Sequence, residues 1–123
     1  MTKDAADVVR DFCKAFSSLN VDEVMAYFTD DAVYHNMPAQ PLTGKDAIGR
    51  AIQSFLGTWS KTQWDILNIA TNGDLVFTER VDRTWAGDKH VDLPIAGVFE
   101  VRDGKIAAWR DYFDMGTYLK AMT

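Results

Sequence analysis

The sequence predicts an α+β fold: helices from the first half of the chain packed on one face of a strongly curved, mixed but mostly antiparallel sheet from the second. Three observations predict it. Apolar residues recur at a helical period up to about residue 56, the period changes to two from Lys61 onward, and Asn72-Gly73, Gly87-Asp88 and Asp103-Gly104 punctuate the later stretch as hairpin turns. A curled sheet covered on one side by helices encloses a concave interior.

The elements follow in order. Asp4 or Asp7 caps a first helix whose apolar positions are Val8, Val9, Phe12, Phe16 and Leu19, and Asn20 ends it. A short second helix spans Asp22 to Phe28, and an extended piece from Ala32 to Met37 is terminated by Pro38 and Pro41. Thr43-Gly44 introduces a third helix, Lys45 to Leu56. Four strands are expected near 61 to 70, 75 to 85, 90 to 101 and 105 to 113, and a last helix from Gly116 to Met122. With no repeat, linker or low-complexity tract, residues 1–123 read as one domain.

Composition narrows the function classes. Hydrophobic residues make up 47% of the chain, which places it among globular proteins. A net charge of -5 gives a nucleic-acid backbone no electrostatic reason to bind. No apolar run approaches the ~18 residues of a membrane span, and the start lacks a leader pattern, so a soluble, cytoplasmic protein is expected. Cys13 is the single cysteine and shares the apolar face of the first helix, which excludes a disulfide framework. His35 and His90 lack metal-ligand spacing, and no nucleotide-binding glycine pattern occurs; neither metal nor cofactor is expected.

Strand parity points to chemistry. Thr78, Arg80, Asp82 and Thr84 share one face of their strand; Val91, Leu93, Ile95 and Phe99 share a face of the next; Trp109, Asp111 and Phe113 share a face of the last. Parity does not say which face points inward. A carboxylate among apolar neighbours must find a cation, a hydrogen bond or a proton, and Arg80 between Asp82 and Asp111 can satisfy both acids while one keeps its proton. Taken alone, Arg80 and Asp82 read first as an ordinary exposed cross-strand ion pair of little energetic weight.

Tyr34-x-Asn36, Glu79-Arg80-Val81-Asp82, Leu93-Pro94-Ile95-Ala96-Gly97-Val98-Phe99-Glu100 and Asp103-Gly104-Lys105-Ile106 followed by Trp109-Arg110-Asp111-Tyr112-Phe113-Asp114 together resemble the limonene-1,2-epoxide hydrolase family. The four strings stand in the family's order and span almost the whole chain. The resemblance implies the cone-shaped α+β fold with an interior pocket that is shared with nuclear transport factor and ketosteroid isomerase, and a homodimer. It implies that Asp111 is the general base on a water also held by Tyr34 and Asn36, and that Asp82 is the general acid on the epoxide oxygen. Arg80 matches the arginine between the acids and Trp109 a tryptophan that supports the site. Exchanging the acid and base roles fits the sequence equally well.

The implied partners are a small hydrophobic epoxide and water. Leu93, Ile95 and Phe113 match apolar lining positions, whereas Thr84 and Tyr118 stand where more apolar side chains are expected. Trp109 and Met37 complete the substrate-contact set, with Trp59, Trp64 and Ile66 as weaker members. A more polar or more open pocket shifts preference away from a compact monocyclic terpene epoxide. The dimer surface is expected on the outer face of the sheet, at Trp85, Val98 and Tyr112. Two other functions suit the same fold: a ketosteroid-type or polyketide-type isomerase or cyclase, which needs no arginine between two acids, and a non-catalytic ligand-binding domain, in which the polar set should be broken.

Overall fold

In the computed structural model, which describes residues 4–123, the chain begins with α1 (Ala5–Ala15) and a 3-10 turn (Phe16–Ser18). Next come α2 (Val21–Met25), β1 (Phe28–Asn36), β2 (Leu42–Thr43) and α3 (Lys45–Leu56). Then follow β3 (Lys61–Asn72), β4 (Leu75–Ala86), β5 (Lys89–Arg102), β6 (Lys105–Tyr112) and α4 (Met115–Met122). The first three residues of the expected domain lie outside the described residues.

Asp4 caps α1 by accepting a hydrogen bond from the Asp7 amide at 2.8 Å, and the helix buries Val8, Val9, Phe12 and Cys13. Its apolar period runs on to Leu19, but the helix tightens after Ala15 and Leu19 takes a left-handed conformation at φ 55°. Asn20 therefore does not stop α1 but caps α2, its side chain accepting from the Asp22 and Glu23 amides. Helix α2 stops short of the expected Phe28, which opens β1 instead. Phe28 pairs with Ile106 along the backbone, and its ring packs edge-to-face with Phe12 at 5.3 Å, so tertiary pairing overrides local helix propensity.

The six strands form one curled, unclosed sheet in the order β2-β1-β6-β5-β4-β3. Its later four strands are an antiparallel meander, as the period of two requires. The third turn shows why the dipeptide signal works: Asp103 and Gly104 both have positive φ, 52° and 76°, the pair of conformations a two-residue hairpin needs. The sheet's one parallel pairing is β1 with β6, which sets Tyr34 beside Trp109 and Asn36 beside Asp111. Strand β2, two residues paired with Val33 and Tyr34, is too short for alternation to reveal.

Helices α1 and α3 cover the concave side, and α4 packs on β5. The main core is aromatic: Trp109 has no exposed surface, and the Phe12 ring stands edge-to-face with it at 4.9 Å, 86° from coplanar. A smaller apolar cluster, Val91, Leu93 and Ile95, lies under Phe113 and Tyr118 at the α4 end. Between the two clusters the sheet stays open to a cavity. Among the described residues no helix is long and apolar enough to cross a membrane.

Candidate active site

Strand β4 alternates strictly, and its buried members are Val76, Thr78, Arg80, Asp82 and Thr84. The inward face of β4 therefore carries a cation and a carboxylate. The Arg80 side chain is fully buried and those of Asp82 and Asp111 nearly so, which removes the reading of an exposed ion pair.

Arg80 donates from Nε to Asp82 Oδ1 at 3.0 Å and from Nη2 to Asp82 Oδ2 at 3.0 Å. On its other edge Nη1 reaches Asp111 Oδ1 at 3.2 Å, Nη2 reaches Asp111 Oδ2 at 2.9 Å, and Nη1 also donates to Thr78 Oγ1 at 3.3 Å. These bonds occupy every N–H of the guanidinium. Its faces are covered too, by Trp64 at 5.0 Å and Phe99 at 5.9 Å from the ring centroids. Burial works against the Arg80 charge, but Asp111 and Asp82 outweigh it and hold the guanidinium well above its usual range.

Glycine at position 97 makes this approach possible. A Cβ there would stand 2.5 Å from Arg80 Nη1 and 2.6 Å from Asp111 Oδ1, closer than any side-chain carbon tolerates. A glycine inside a strand pattern signals such an approach, and Gly97 is the site residue that this signal could have found. Thr78, placed on the Arg80 face by strand alternation, reaches the guanidinium as that parity allows.

Trp109 fixes the second acid. Its Nε1 donates to Asp111 Oδ1 at 2.7 Å, and Tyr34 stacks on the indole at 4.1 Å, 12° from coplanar. Tyr34 and Asn36 come from β1, so the parallel pairing carries them to Asp111. Desolvation raises the Tyr34 phenol and the Asp111 charge raises it further, against a hydrogen bond with Asn36. The hydroxyl therefore keeps its proton. Asp82 is likewise pushed up, to about 6: burial raises it more than Arg80 lowers it.

The cavity above these groups measures about 290 Å³. Tyr34, Asn36, Asp82 and Asp111 reach its wall, as do Thr84, Leu93, Ile95, Phe113 and Tyr118 from the predicted contact set. Arg80 and Trp109 lie behind the wall; Trp109 meets Asp111 and Tyr34 instead of the cavity. Met37 is not on the wall either, because it follows the end of β1 and its backbone N–H donates to the Asp111 carbonyl at 2.9 Å. Of the weaker candidates, Trp59 and Trp64 reach the wall and Ile66 does not. Val91, which shares its strand face with Leu93 and Ile95, lines it too, and Phe55, Met115 and Leu119 line it without having been singled out; only their apolar character marked them.

Fold and site together define a class: a cone-shaped α+β domain whose curled sheet buries an acid-arginine-acid cluster beside an apolar cavity. The fold is shared with a Catenulispora acidiphila protein of ketosteroid isomerase-like fold, at a TM-score of 0.84, with 18% identity over 99% of this chain and 94% of that one. The sequence model of the limonene-1,2-epoxide hydrolase catalytic domain matches residues 3–123. The chain is also 35% identical over 117 residues to epoxide hydrolase EphG of Mycobacterium tuberculosis, covering 93% of this chain and 76% of that protein. The structure of an M. tuberculosis LEH-like epoxide hydrolase superposes at a TM-score of 0.83, with 33% identity over 96% of this chain and 88% of that one. The protein belongs to the limonene-1,2-epoxide hydrolase family and is an epoxide hydrolase.

Proposed function

We propose that residues 1–123 act as one catalytic domain that adds water to an epoxide in a single general acid/base step, yielding a vicinal diol with no covalent intermediate. Asp111 takes a proton from a water held with Tyr34 and Asn36 as the water oxygen bonds to an epoxide carbon. The C–O bond of that same carbon, anti to the incoming water, breaks, and Asp82 gives its proton to the departing oxygen. The observation that carries this reading is the saturated Arg80, which joins two buried carboxylates of unequal surroundings at one cavity wall.

Two ionised acids and one guanidinium would leave a net negative charge buried beside an apolar cavity, and one retained proton neutralises the cluster. The upward shift of Asp82 favours placing that proton there, which supports Asp82 as acid and Asp111 as base. Arg80 has no free N–H and holds its proton firmly, so it bridges charge and does not carry the proton back. Water entering between turnovers moves it from Asp111 to Asp82. An isomerase or cyclase has no use for a cation locked between two acids, and a binding domain none for a protonated one.

The test is diol formation from limonene oxide, cyclohexene oxide and styrene oxide across a pH series. Because Asp82 must be protonated in the free enzyme, kcat/KM is expected to fall by about tenfold per pH unit above about 6. Absence of diol from every epoxide rejects the reading; a flat profile from pH 6 to 9 rejects Asp82 as the acid.

The same reading includes a homodimer formed through the outer face of the sheet. Phe77 and Tyr112 are 42% and 48% exposed there, and Val98 pairs with Phe77 along the strands. Trp85, on the same face, is already covered by the stacked His90 ring at 4.5 Å and by Lys61. Light scattering is expected to return twice the 13.8 kDa chain mass. A monomer at micromolar concentration would refute the dimer without touching the chemistry.

A further inference from the structure

Beyond the reacting acids and the Tyr34–Asn36 pair, two hydroxyl groups interrupt the apolar wall, those of Thr84 and Tyr118, and their hydrogen-bond states differ. Thr84 Oγ1 lies 2.8 Å from Thr62 Oγ1, which accepts from Trp64 Nε1 at 3.0 Å and donates to the Arg83 carbonyl at 3.2 Å. Thr62 has one proton, and that bond to Arg83 uses it. All three contacts are satisfied only if Thr84 donates to Thr62, so the Thr84 proton is consumed inside the wall.

Tyr118 is the opposite case. Its hydroxyl oxygen lies 2.9 Å from Trp59 Nε1, and an indole N–H can only donate. Tyr118 is therefore the acceptor, and its own proton has no protein acceptor among the described residues. Accepting from Trp59 also polarises the hydroxyl and strengthens it as a donor. Both rings line the cavity, where Tyr118 packs against Val91, Leu93 and Ile95.

The position of the pair is set by the strands. Ser60, next to Trp59, donates its backbone N–H to the Trp85 carbonyl at 2.8 Å, three residues along β4 from Asp82. At the rise of a strand this is about 10 Å from the acid. The cavity wall thus carries the proton donor and base on β4 and β6 and, beside a segment anchored about 10 Å along β4, a hydroxyl donor held by Trp59, with apolar side chains on the same wall.

We infer that Tyr118, held by Trp59, is a specificity-determining hydrogen-bond donor for the far end of the substrate, and that the preferred substrates are small epoxides carrying an acceptor oxygen there, as a ketone, ether or hydroxyl. The inference rests on epoxide hydrolysis at Asp82 and Asp111. It explains in physical terms why a tyrosine and a tryptophan stand in an otherwise apolar wall: the pair rewards an acceptor and leaves a hydrocarbon end facing an unpaired donor.

The experiment compares kcat/KM for two matched substrates, cyclohexene oxide and the same ring epoxide with a ketone opposite the oxirane, in the native chain, Tyr118→Phe and Trp59→Phe. Native protein is expected to favour the ketone, and Tyr118→Phe to cut the ketone-to-hydrocarbon ratio by about three- to tenfold. Trp59→Phe keeps the Tyr118 hydroxyl but frees its orientation, and is expected to give an intermediate ratio. Diol formation with the same ratio in native protein and Tyr118→Phe overturns the inference, because the hydroxyl then donates only to solvent at the cavity mouth. Diol from neither substrate in the native protein overturns the underlying hydrolase chemistry instead.

Discussion

Asp111→Asn is expected to lower kcat/KM for diol formation by about 10³-fold, the usual contribution of a positioned base. The amide has almost the shape of the carboxylate, so the loss is chemical before it is structural. Its structural cost is nevertheless foreseeable. Oδ1 of Asp111 accepts from Arg80 Nη1 and Trp109 Nε1, and Oδ2 accepts from Arg80 Nη2. Whichever way an asparagine amide turns, its NH₂ faces at least one of these donors, and a buried donor left without an acceptor costs about 1–3 kcal/mol. A fall in Tm of roughly 5 °C should therefore accompany the loss of activity, with the circular dichroism spectrum unchanged. Activity within threefold of native in a folded Asp111→Asn protein would falsify the assignment of the base.

Arg80→Met should act first on stability. Removing one partner from a buried ion cluster typically costs about 3–5 kcal/mol, because the remaining charges lose their counter-ion and stay desolvated. The deficit should depend on pH in a definite direction. Asp82 is already raised by burial against the pull of Arg80, and without that pull it rises further. A raised carboxyl holds a proton in the folded state that the unfolded chain has released, so stability falls as pH increases from about 4. Chemical denaturation at pH 5 and pH 8 should show the variant closer to native at the lower value. The triple variant Arg80→Met, Asp82→Asn, Asp111→Asn removes the charges together, with Trp64 and Phe99 offering an apolar setting for methionine. It should regain much of the stability and none of the activity. A single variant as stable as native at pH 8 would mean that the cluster is hydrated, contrary to its burial.

The parts of this molecule legible in the sequence are those with local causes. The three hairpins announce themselves through turn residues whose backbone angles few other residues adopt, and β4 shows its two faces by alternation alone. Helix α3, entered through Gly44 at φ 92°, was equally plain. The β1–β6 pairing was not, because it joins segments from opposite halves of the chain and no local period encodes a parallel partner. That pairing is what gives Tyr34 and Asn36 meaning; neither residue type says anything by itself, and only the resemblance singled them out.

Parity also left the direction of the Arg80 face open. An arginine and an aspartate two residues apart are ordinary on a solvated strand, and Phe99, Trp64 and Trp109 against the cluster make it interior. Trp109 is the instructive near miss. It was placed in the substrate-contact set as well as in support of the site, and the structure has it behind the wall, spending its N–H on Asp111. Aromatic residues in strand cores have this double character, and sequence cannot say whether the ring or the N–H is the part that matters.

The parallel seam between β1 and β6 has a bearing on how the protein comes to be active. Asn36 and Asp111 become neighbours only after the intervening hairpins have formed and the first strand has docked beside the last. Contacts across such a span carry the greatest loop-closure cost and tend to form late. On the proposed mechanism, the side of the reaction centre that holds water is assembled by this late docking, whereas Arg80 and Asp82 come together within a single strand. If Asp111 and Asn36 hold the water as proposed, a partly folded chain lacking the β1–β6 pairing is expected to have the Arg80–Asp82 pair but no seat for the nucleophile, and so to be inactive.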